Sequence, residues 1–174
     1  EDPMFLAEDK VIFVHIPKTG GSSLEYNMCT KYTDIRDHLE VRNYIYENLT
    51  VMGKFYGKKI CHSYISVYAK HIPISDYFKF TVVRNPYEQV RSLYNQVRNG
   101  MMVPSFEHFI MSGEKNSASQ MRHFVDQYNY THIDGVMAMD QVFLFEKYAK
   151  AQDFVEDRFG IMFDRSKRLW KTTY

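Results

Sequence analysis

One lysine, two glycines and three hydroxyl side chains lie together in the stretch "VHIPKTGGSS", residues 14–23. Glycine lets the backbone approach a ligand closely, the lysine supplies a mobile cation, and the hydroxyls supply hydrogen-bond donors. If a strand precedes this stretch and a helix follows it, free N–H groups and the positive end of the helix dipole also meet here. The stretch therefore predicts an anion site, against the alternative of a Gly-Gly turn beside an incidental lysine. The predicted binding residues are Lys18, Thr19, Gly20, Gly21, Ser22 and Ser23.

A second pair of polar residues, Arg84 and Ser92, follows the apolar run "FKFTVV". Arg84 comes at the end of this run, and Ser92 falls two turns into the helix that we expect after Pro86. A guanidinium and a hydroxyl so placed can bind one phosphate group. The alternative is that both are ordinary surface residues, which arginine and serine often are.

A nucleoside triphosphate would also suit a glycine-rich loop, but the order of the residues argues against it. The Walker pattern has its lysine after the glycines, followed by a hydroxyl that holds magnesium, whereas Lys18 precedes both glycines. The strand at 77–83 is followed by Arg84 and not by an aspartate that would help to hold the metal. A P-loop kinase or nucleotidase and a non-catalytic nucleotide-binding module remain the alternatives.

The elements that must position these residues can be predicted from hydrophobic spacing. Runs rich in β-branched and aromatic residues predict strands at 10–16, 58–64, 77–83 and 141–146. A helix is predicted after Gly21, where Ser22 and Glu25 form a helix-opening pattern. Further helices are predicted over 34–49, from Pro86 to Gly100, at about 104–111, at about 117–128, and from Tyr148 to Gly160. Strands that alternate with helices imply a parallel sheet, in which the carboxyl ends of the strands share one edge.

Composition favours one compact domain, expected over residues 5–174, with "EDPM" at 1–4 set aside as an added remnant. The 174 residues are 45% hydrophobic and 16% aromatic, which suffices for a core. Twenty-two Lys and Arg against 21 Asp and Glu give a net charge of +1, so no global field attracts nucleic acid or a membrane. The apolar runs fall far short of the roughly 20 residues that span a bilayer, and we see no signal peptide. Cys29 and Cys61 are expected to be reduced core residues, with a single disulfide bridge as the alternative.

The two motifs together resemble a known family. "FVHIPKTGGSS" resembles the 5'-phosphosulfate loop of sulfotransferases that use 3'-phosphoadenosine-5'-phosphosulfate (PAPS), and "FTVVRNPYEQVRSLYNQVRNG" resembles their 3'-phosphate segment, with Arg84 and Ser92 in its two key positions. The similarity is greatest to the carbohydrate branch, which includes heparan sulfate 2-O- and 6-O-sulfotransferases and chondroitin enzymes, and it extends over most of residues 10–163. It implies a single-domain α/β fold with a P-loop-like parallel sheet flanked by helices.

The resemblance also implies a reaction. PAPS would be the co-substrate, a hydroxyl acceptor, expected to be a saccharide, would receive the sulfonate, and 3'-phosphoadenosine-5'-phosphate (PAP) would be the product, without a metal. Lys18 is expected to stabilise the leaving oxygen. His62 matches the base histidine of the family's "His-x-x-Tyr/Phe" motif, and histidine has a suitable intrinsic pKa; the alternative is a histidine held by structural hydrogen bonds. His15 is expected to orient the loop.

Other polar residues are weaker candidates. Gln120 and Arg122, beside His123, could face the acceptor or lie on a solvated side. The family's late glycine-rich contact to the 3'-phosphate is not evident; Arg165, Lys167 and Arg168 stand in its place, unless they are a solvated basic run. The oligomeric state and the acceptor stay open, as does the compartment, between the cytoplasm of a microbe and the Golgi lumen of an animal.

Overall fold

The computed structural model describes residues 4–6, 9–44, 62–98, 105–111 and 126–166. In chain order its elements are β1 (Met4–Leu6), β2 (Val11–Val14), α1 (Gly21–Cys29), α2 (His38–Tyr44), α3 (Ile65–Ala69), β3 (Phe78–Val83), α4 (Pro86–Val97), α5 (Phe106–Met111), α6 (Gln127–Thr131), β4 (His132–Ile133), β5 (Val136–Met137), β6 (Gln141–Leu144) and α7 (Ala149–Phe159). Short 3-10 turns at Ile74–Asp76 and Phe145–Lys147 lie before β3 and α7.

The main sheet has the strand order β1-β2-β3-β6. β2, β3 and β6 are parallel, and β1 adds an antiparallel edge in which Met4 pairs with Phe13, so the sheet begins within the four residues that the sequence set aside. β4 and β5 form a separate hairpin. The expected α/β fold, a parallel sheet flanked by helices, is confirmed. Since the three central strands are parallel, their carboxyl ends at Val14, Val83 and Leu144 share one edge.

Three of the four predicted strands are confirmed with shorter bounds. The exception is the strand predicted at 58–64: residues 58–61 lie outside the described residues, and residues 62–64 are not a strand but lead into α3. His62 has a φ of 59°, a left-handed backbone conformation that an extended strand does not allow.

The best-defined predicted helices are also confirmed. α4 begins with Pro86, and the Asn85 side chain accepts a hydrogen bond from the Tyr87 N–H, as expected for a helix start. α7 ends at Gly160, which has a φ of 63°. α5 agrees with the helix predicted at 104–111.

Two predicted helices differ from the structure or lie partly outside it. The helix predicted over 34–49 is present only as α2, because residues 34–37 are not helical and residues 45–49 lie outside the described residues. Of the helix predicted at 117–128, residues 117–125 lie outside them; α6 begins after Asp126, whose side chain caps it.

Helices cover both faces of the sheet. One core layer joins β2 and β3 to α1 and α7 through Val11, Phe13, Leu24, Met28, Phe80, Val82, Ala151, Val155 and Phe159. The opposite layer joins β2 to α3 and α6 through Ile12, Val14, Ile65, Tyr68, Tyr130 and Met139. Because both faces are buried, β2 is apolar throughout, as is usual for a central parallel strand. None of the helices in the described ranges is long and apolar enough to cross a membrane.

Candidate active site

The turn from β2 into α1 is held by its own hydrogen bonds. The Thr19 hydroxyl, fully buried, donates to the carbonyl oxygen of Ile16 at 2.8 Å. The Ser23 N–H donates to the carbonyl oxygen of Gly20 at 3.1 Å, which closes the first turn of α1. Lys18 adopts a left-handed φ of 65°. The turn therefore has a fixed shape, in which Thr19 already uses its hydroxyl proton.

Both glycines of the turn are required by the space around them. Gly20 has a φ of 84°, and a Cβ added to it would lie 2.8 Å from the Tyr148 ring, whose hydroxyl donates to the Gly20 carbonyl oxygen at 2.7 Å. A Cβ added to Gly21 would lie 2.2 Å from Cδ2 of His15. Any other residue at position 20 or 21 would displace one of these rings. Because glycine has no side chain, no side-chain atom of these two residues covers the backbone at the start of α1.

The expected helix after Gly21 is confirmed, but its predicted opening pattern is not. Gly20 occupies the N-cap position without a side-chain cap. Glu25 faces the end of β2, where its Oε1 lies 2.9 Å from Nδ1 of His15. The left-handed conformation of Gly20 replaces the extended N-cap that a capping box needs, which explains the difference.

Lys18 reaches from this turn across to α4. Its Nζ donates a hydrogen bond of 2.8 Å to Oε1 of Gln96. Burial, and after it the positive charge of Arg84, lower the pKa of Lys18 from 10.5 to about 8. Its surroundings thus destabilise the charged ammonium, and an added anion would stabilise it.

Arg84 joins the end of β3 to the same turn. Its Nη1 donates to the carbonyl oxygen of Lys18 at 3.1 Å, and its guanidinium lies 4.2 Å from the centre of the Phe145 ring. The side chain is 8% exposed, with Glu88 at 3.9 Å, and its Nε is buried with no hydrogen-bond partner in the part of the chain that the structure describes. A buried donor of this kind suits a ligand acceptor.

Glutamine side chains tie these segments together. Gln127 of α6 accepts from the Arg84 N–H at 2.9 Å and donates to the Arg84 carbonyl oxygen at 2.7 Å. Gln89 of α4 donates to the carbonyl oxygen of Pro17 at 2.8 Å. The sequence analysis missed both residues, and Gln96 as well, because a glutamine carries no local signal for a partner so far along the chain.

Ser92 is buried on α4, four residues before Gln96. Residues with this spacing lie on the same side of a helix, so Ser92 is on the side of α4 that reaches Lys18. Ser23 is buried and Ser22 is partly exposed at the start of α1. The structure thus gathers the loop residues, Arg84 and the Ser92 side of α4 at one edge of the sheet.

His62 lies beside the turn although it does not end a strand. Its Nδ1 is 3.0 Å from the carbonyl oxygen of His15, and the two rings meet edge to face with centres 4.8 Å apart. A carbonyl oxygen only accepts, so Nδ1 carries the proton of this hydrogen bond. The neutral ring then has its lone pair on Nε2, which can accept a proton.

Among the remaining candidates, the structure describes Arg165. Arg165 pairs with Asp153 and Glu156 of α7. Lys167, Arg168, Gln120 and Arg122 lie outside the described residues. Within the described ranges, no cluster of three or more histidine, cysteine or acidic side chains could hold a metal ion.

Comparison with known proteins gives the family. The crystal structure of a sulfotransferase from Alicyclobacillus acidocaldarius is 16% identical in sequence, with a TM-score of 0.48 over 94% of this chain and 83% of that one. No curated protein matches the chain. The model of the sulfotransferase family matches residues 3–168, which is nearly the whole sequence. The chain therefore belongs to the sulfotransferase family.

Proposed function

We propose that this chain transfers the sulfonate of PAPS to a hydroxyl group of an acceptor, which we expect to be a saccharide. The observation that carries the proposal is the hydrogen bond from Nη1 of Arg84 to the carbonyl oxygen of Lys18. This bond brings the glycine loop and the end of β3 to one place. PAPS has a phosphosulfate at one end and a separate 3'-phosphate on its ribose, so it needs two such anion sites side by side.

The two sites would divide the donor between them. The N–H groups at the start of α1 and the hydroxyls of Ser22 and Ser23 would hold the phosphosulfate. Arg84, whose Nε is buried without a described partner, and Ser92 would hold the 3'-phosphate.

The proposed step forms one bond and breaks one. The acceptor oxygen attacks the sulfur in line, the bond from sulfur to the 5'-phosphate oxygen breaks, and PAP leaves. Nε2 of His62 takes the proton of the acceptor hydroxyl. Lys18 stabilises the negative charge that grows on the leaving oxygen, for which its Nζ exchanges Gln96 for that oxygen.

The support for a saccharide acceptor is the resemblance of both motifs to the carbohydrate branch of the family. An assay with radiolabelled PAPS over a panel of glycans and small alcohols would test it. We expect transfer to a glycan; transfer to small alcohols alone would contradict the saccharide assignment.

Calorimetry tests the donor. We expect PAP to bind more tightly than ATP and without any dependence on magnesium. Binding of ATP as tight as that of PAP would contradict the proposal and favour a P-loop kinase, which phosphoryl transfer in the presence of magnesium would then reveal.

Two variants test the mechanism. Lys18→Ala and His62→Ala should each lower kcat by about 100-fold or more, since each removes charge stabilisation or proton transfer from the transition state. His108→Ala is the matched control, because His108 is an exposed histidine on α5. Full activity of His62→Ala would remove it as the base.

A further inference from the structure

A buried histidine and a buried carboxylate lie directly under the candidate active site. His15 is 3% exposed and Glu25 is 4% exposed. Nδ1 of His15 lies 2.9 Å from Oε1 of Glu25. The proposed sulfonate transfer uses neither side chain, so the pair needs another explanation.

We propose that Glu25 and His15 are positioning residues: Glu25 fixes the ring of His15, and His15 sets both the start of α1 and the orientation of His62. The inference rests on the proposed function for the roles of the loop and of His62. One buried contact would then control both the N–H groups that bind the sulfonate donor and the histidine that takes the proton of the acceptor.

Stability alone does not explain this pair. Removing a carboxylate from water costs several kcal/mol, and an ion pair often fails to recover that cost when well-packed apolar residues could fill the same space. α1 is buried on almost every side, so an apolar residue at position 25 would suit the packing of the helix. A carboxylate at this position therefore favours a role in placing its partner.

The ring of His15 supports the first turn of α1. Cδ2 and Nε2 of His15 lie 2.2 and 2.5 Å from the position that a Cβ on residue 21 would occupy, so the ring fills the space beside Gly21. A tilt of the ring would move Gly21 and the N–H groups that follow it. These groups are the ones proposed to hold the phosphosulfate, for which a displacement of about 1 Å can cost about 100-fold in rate.

The same residue also holds His62. Nδ1 of His62 donates to the carbonyl oxygen of His15 at 3.0 Å, and the ring of His62 packs edge to face against the ring of His15. This hydrogen bond places the lone pair of the neutral ring on Nε2. If His15 moved, the tautomer and the direction of the proposed base would no longer be set.

Two further ionisable groups, Cys29 and Tyr148, lie near the pair. Burial first, and then the charge of Glu25, raise the pKa of the Cys29 thiol. Burial also raises the pKa of the Tyr148 hydroxyl, and the charge of Glu25 acts in the same direction. Cys29 and Tyr148 therefore stay neutral, and the Tyr148 hydroxyl donates its proton to the Gly20 carbonyl oxygen.

The test replaces the carboxylate in two ways. Glu25→Leu fills the space but offers no acceptor, whereas Glu25→Gln keeps an oxygen that can face Nδ1 of His15. We expect Glu25→Leu to lower kcat by about 10- to 100-fold and also to raise the dissociation constant of PAP, because the N–H groups proposed to hold its 5'-phosphate are displaced. Glu25→Gln should keep kcat within about 3-fold of the wild type.

A spectroscopic readout separates positioning from a merely structural role. Nitrogen-15 NMR of the histidine rings should show the Nδ1–H tautomer of His62 in the wild type and in Glu25→Gln, and a mixture of tautomers in Glu25→Leu. If Glu25→Leu does not fold, the double variant His15→Phe with Glu25→Leu replaces the pair by apolar side chains and should show the same loss of kcat, since no carboxylate then fixes the ring beside Gly21.

Two results would overturn the inference. One is a kcat of the folded Glu25→Leu variant within 3-fold of the wild type, and the other is an unchanged His62 tautomer. Failure of the proposed function is a different result, namely a wild-type protein that neither binds PAP nor transfers sulfonate. The NMR comparison tests the link from Glu25 to His62 even then, because it does not depend on activity.

Discussion

The guanidinium of Arg84 donates a hydrogen bond of 3.1 Å to the backbone carbonyl oxygen of Lys18, although 66 positions of sequence separate the two residues. The bond is possible because β2 and β3 are parallel neighbours, with Val14 opposite Thr81. Both strands consequently deliver their next residues to the same edge of the sheet. Lys18, whose pKa is lowered, and the buried Arg84 therefore lie together at this edge. The following predictions depend on that arrangement.

Lys18 should take up a proton when a donor anion binds. Its pKa is lowered to about 8 by burial and by Arg84, so at pH 8 part of the free protein holds a neutral lysine. A bound anion favours the cation, and PAP binding at pH 8 should be accompanied by proton uptake. Calorimetry in two buffers with different ionisation enthalpies measures this uptake. It should vanish in Lys18→Met, and equal heats in both buffers for the wild type would contradict the prediction.

The same lysine should cost stability in the absence of ligand. Because the folded-state pKa lies below the unfolded-state value, the charged lysine is penalised at neutral pH, and the penalty is released as the pH rises from about 8. Lys18→Met should therefore raise the free energy of unfolding at pH 7 by about 2 kcal/mol while abolishing turnover. Urea unfolding should show that the variant is more stable than the wild type at pH 7. The difference in the free energy of unfolding should be smaller at pH 9. A less stable Lys18→Met variant at pH 7 would refute it.

Arg84→Lys should weaken PAP binding by about 10- to 100-fold, although it keeps the positive charge. Lysine cannot form the planar pair of hydrogen bonds and loses the flat contact with Phe145. Arg91→Lys on α4 is the matched control, since the Arg91 side chain is 53% exposed and should change the affinity by less than 2-fold. Equal effects of the two substitutions in calorimetry would argue against a special role for Arg84.

Gly21→Ala should lower the free energy of unfolding by about 3 kcal/mol, because the new methyl group would overlap the ring of His15. Gly160→Ala gives a contrast: that position is left-handed, but a Cβ added there would meet no non-neighbouring atom of the described residues within 4 Å, so about 1 kcal/mol of backbone strain is expected. In urea unfolding, Gly21→Ala combined with His15→Ala should be less destabilised than the sum of the single variants. Additive effects would show that the two residues do not compete for space.

Asp140→Asn should destabilise the fold by about 2 kcal/mol, since it leaves the buried ammonium of Lys79 without its carboxylate. Burial opposes ionisation of Asp140, but hydrogen bonds from the Lys79 side chain and N–H prevail and lower its pKa. The carboxylate therefore contributes stability above about pH 4, and this contribution is lost as the pH falls through the folded-state pKa. The difference in the free energy of unfolding between Asp140→Asn and the wild type should be smaller at pH 3 than at pH 7. Asp153→Asn, at an exposed pair with Arg165, should have little effect at either pH.

The parts of this fold that the sequence could predict are local. The strand, the glycine turn and the helix around residues 14–23 follow from β-branched spacing and from the glycine pair. Pro86 and Gly160 mark helix ends because each has a special backbone geometry. The order of Lys18 before the glycines is also a local feature, and it distinguishes this loop from a Walker loop.

The parts that could not be predicted depend on distant partners. Gln127 binds the backbone of Arg84 across 43 positions, and Gln96 binds Lys18 across 78, yet no local pattern indicates either contact. Glu25 fits a helix-opening rule, but in the fold its Oε1 lies 2.9 Å from Nδ1 of His15. The apolar and β-branched residues around it predict His62 within a strand at 58–64, whereas its backbone is left-handed. In each case tertiary contacts outweigh the local preference.

The left-handed backbone at Lys18 and His62 also limits how this protein could be made more heat-resistant. Such positions favour glycine or asparagine, so replacing another residue there by one of these two can relieve backbone strain. At Lys18 and His62 that substitution would remove the two side chains on which turnover is proposed to depend. Lys10, with a φ of 53° in the turn before β2, offers the same gain, and within the described ranges its side chain makes a cation–π contact with Tyr77. Engineering for heat resistance should begin at Lys10 and leave the other two positions unchanged.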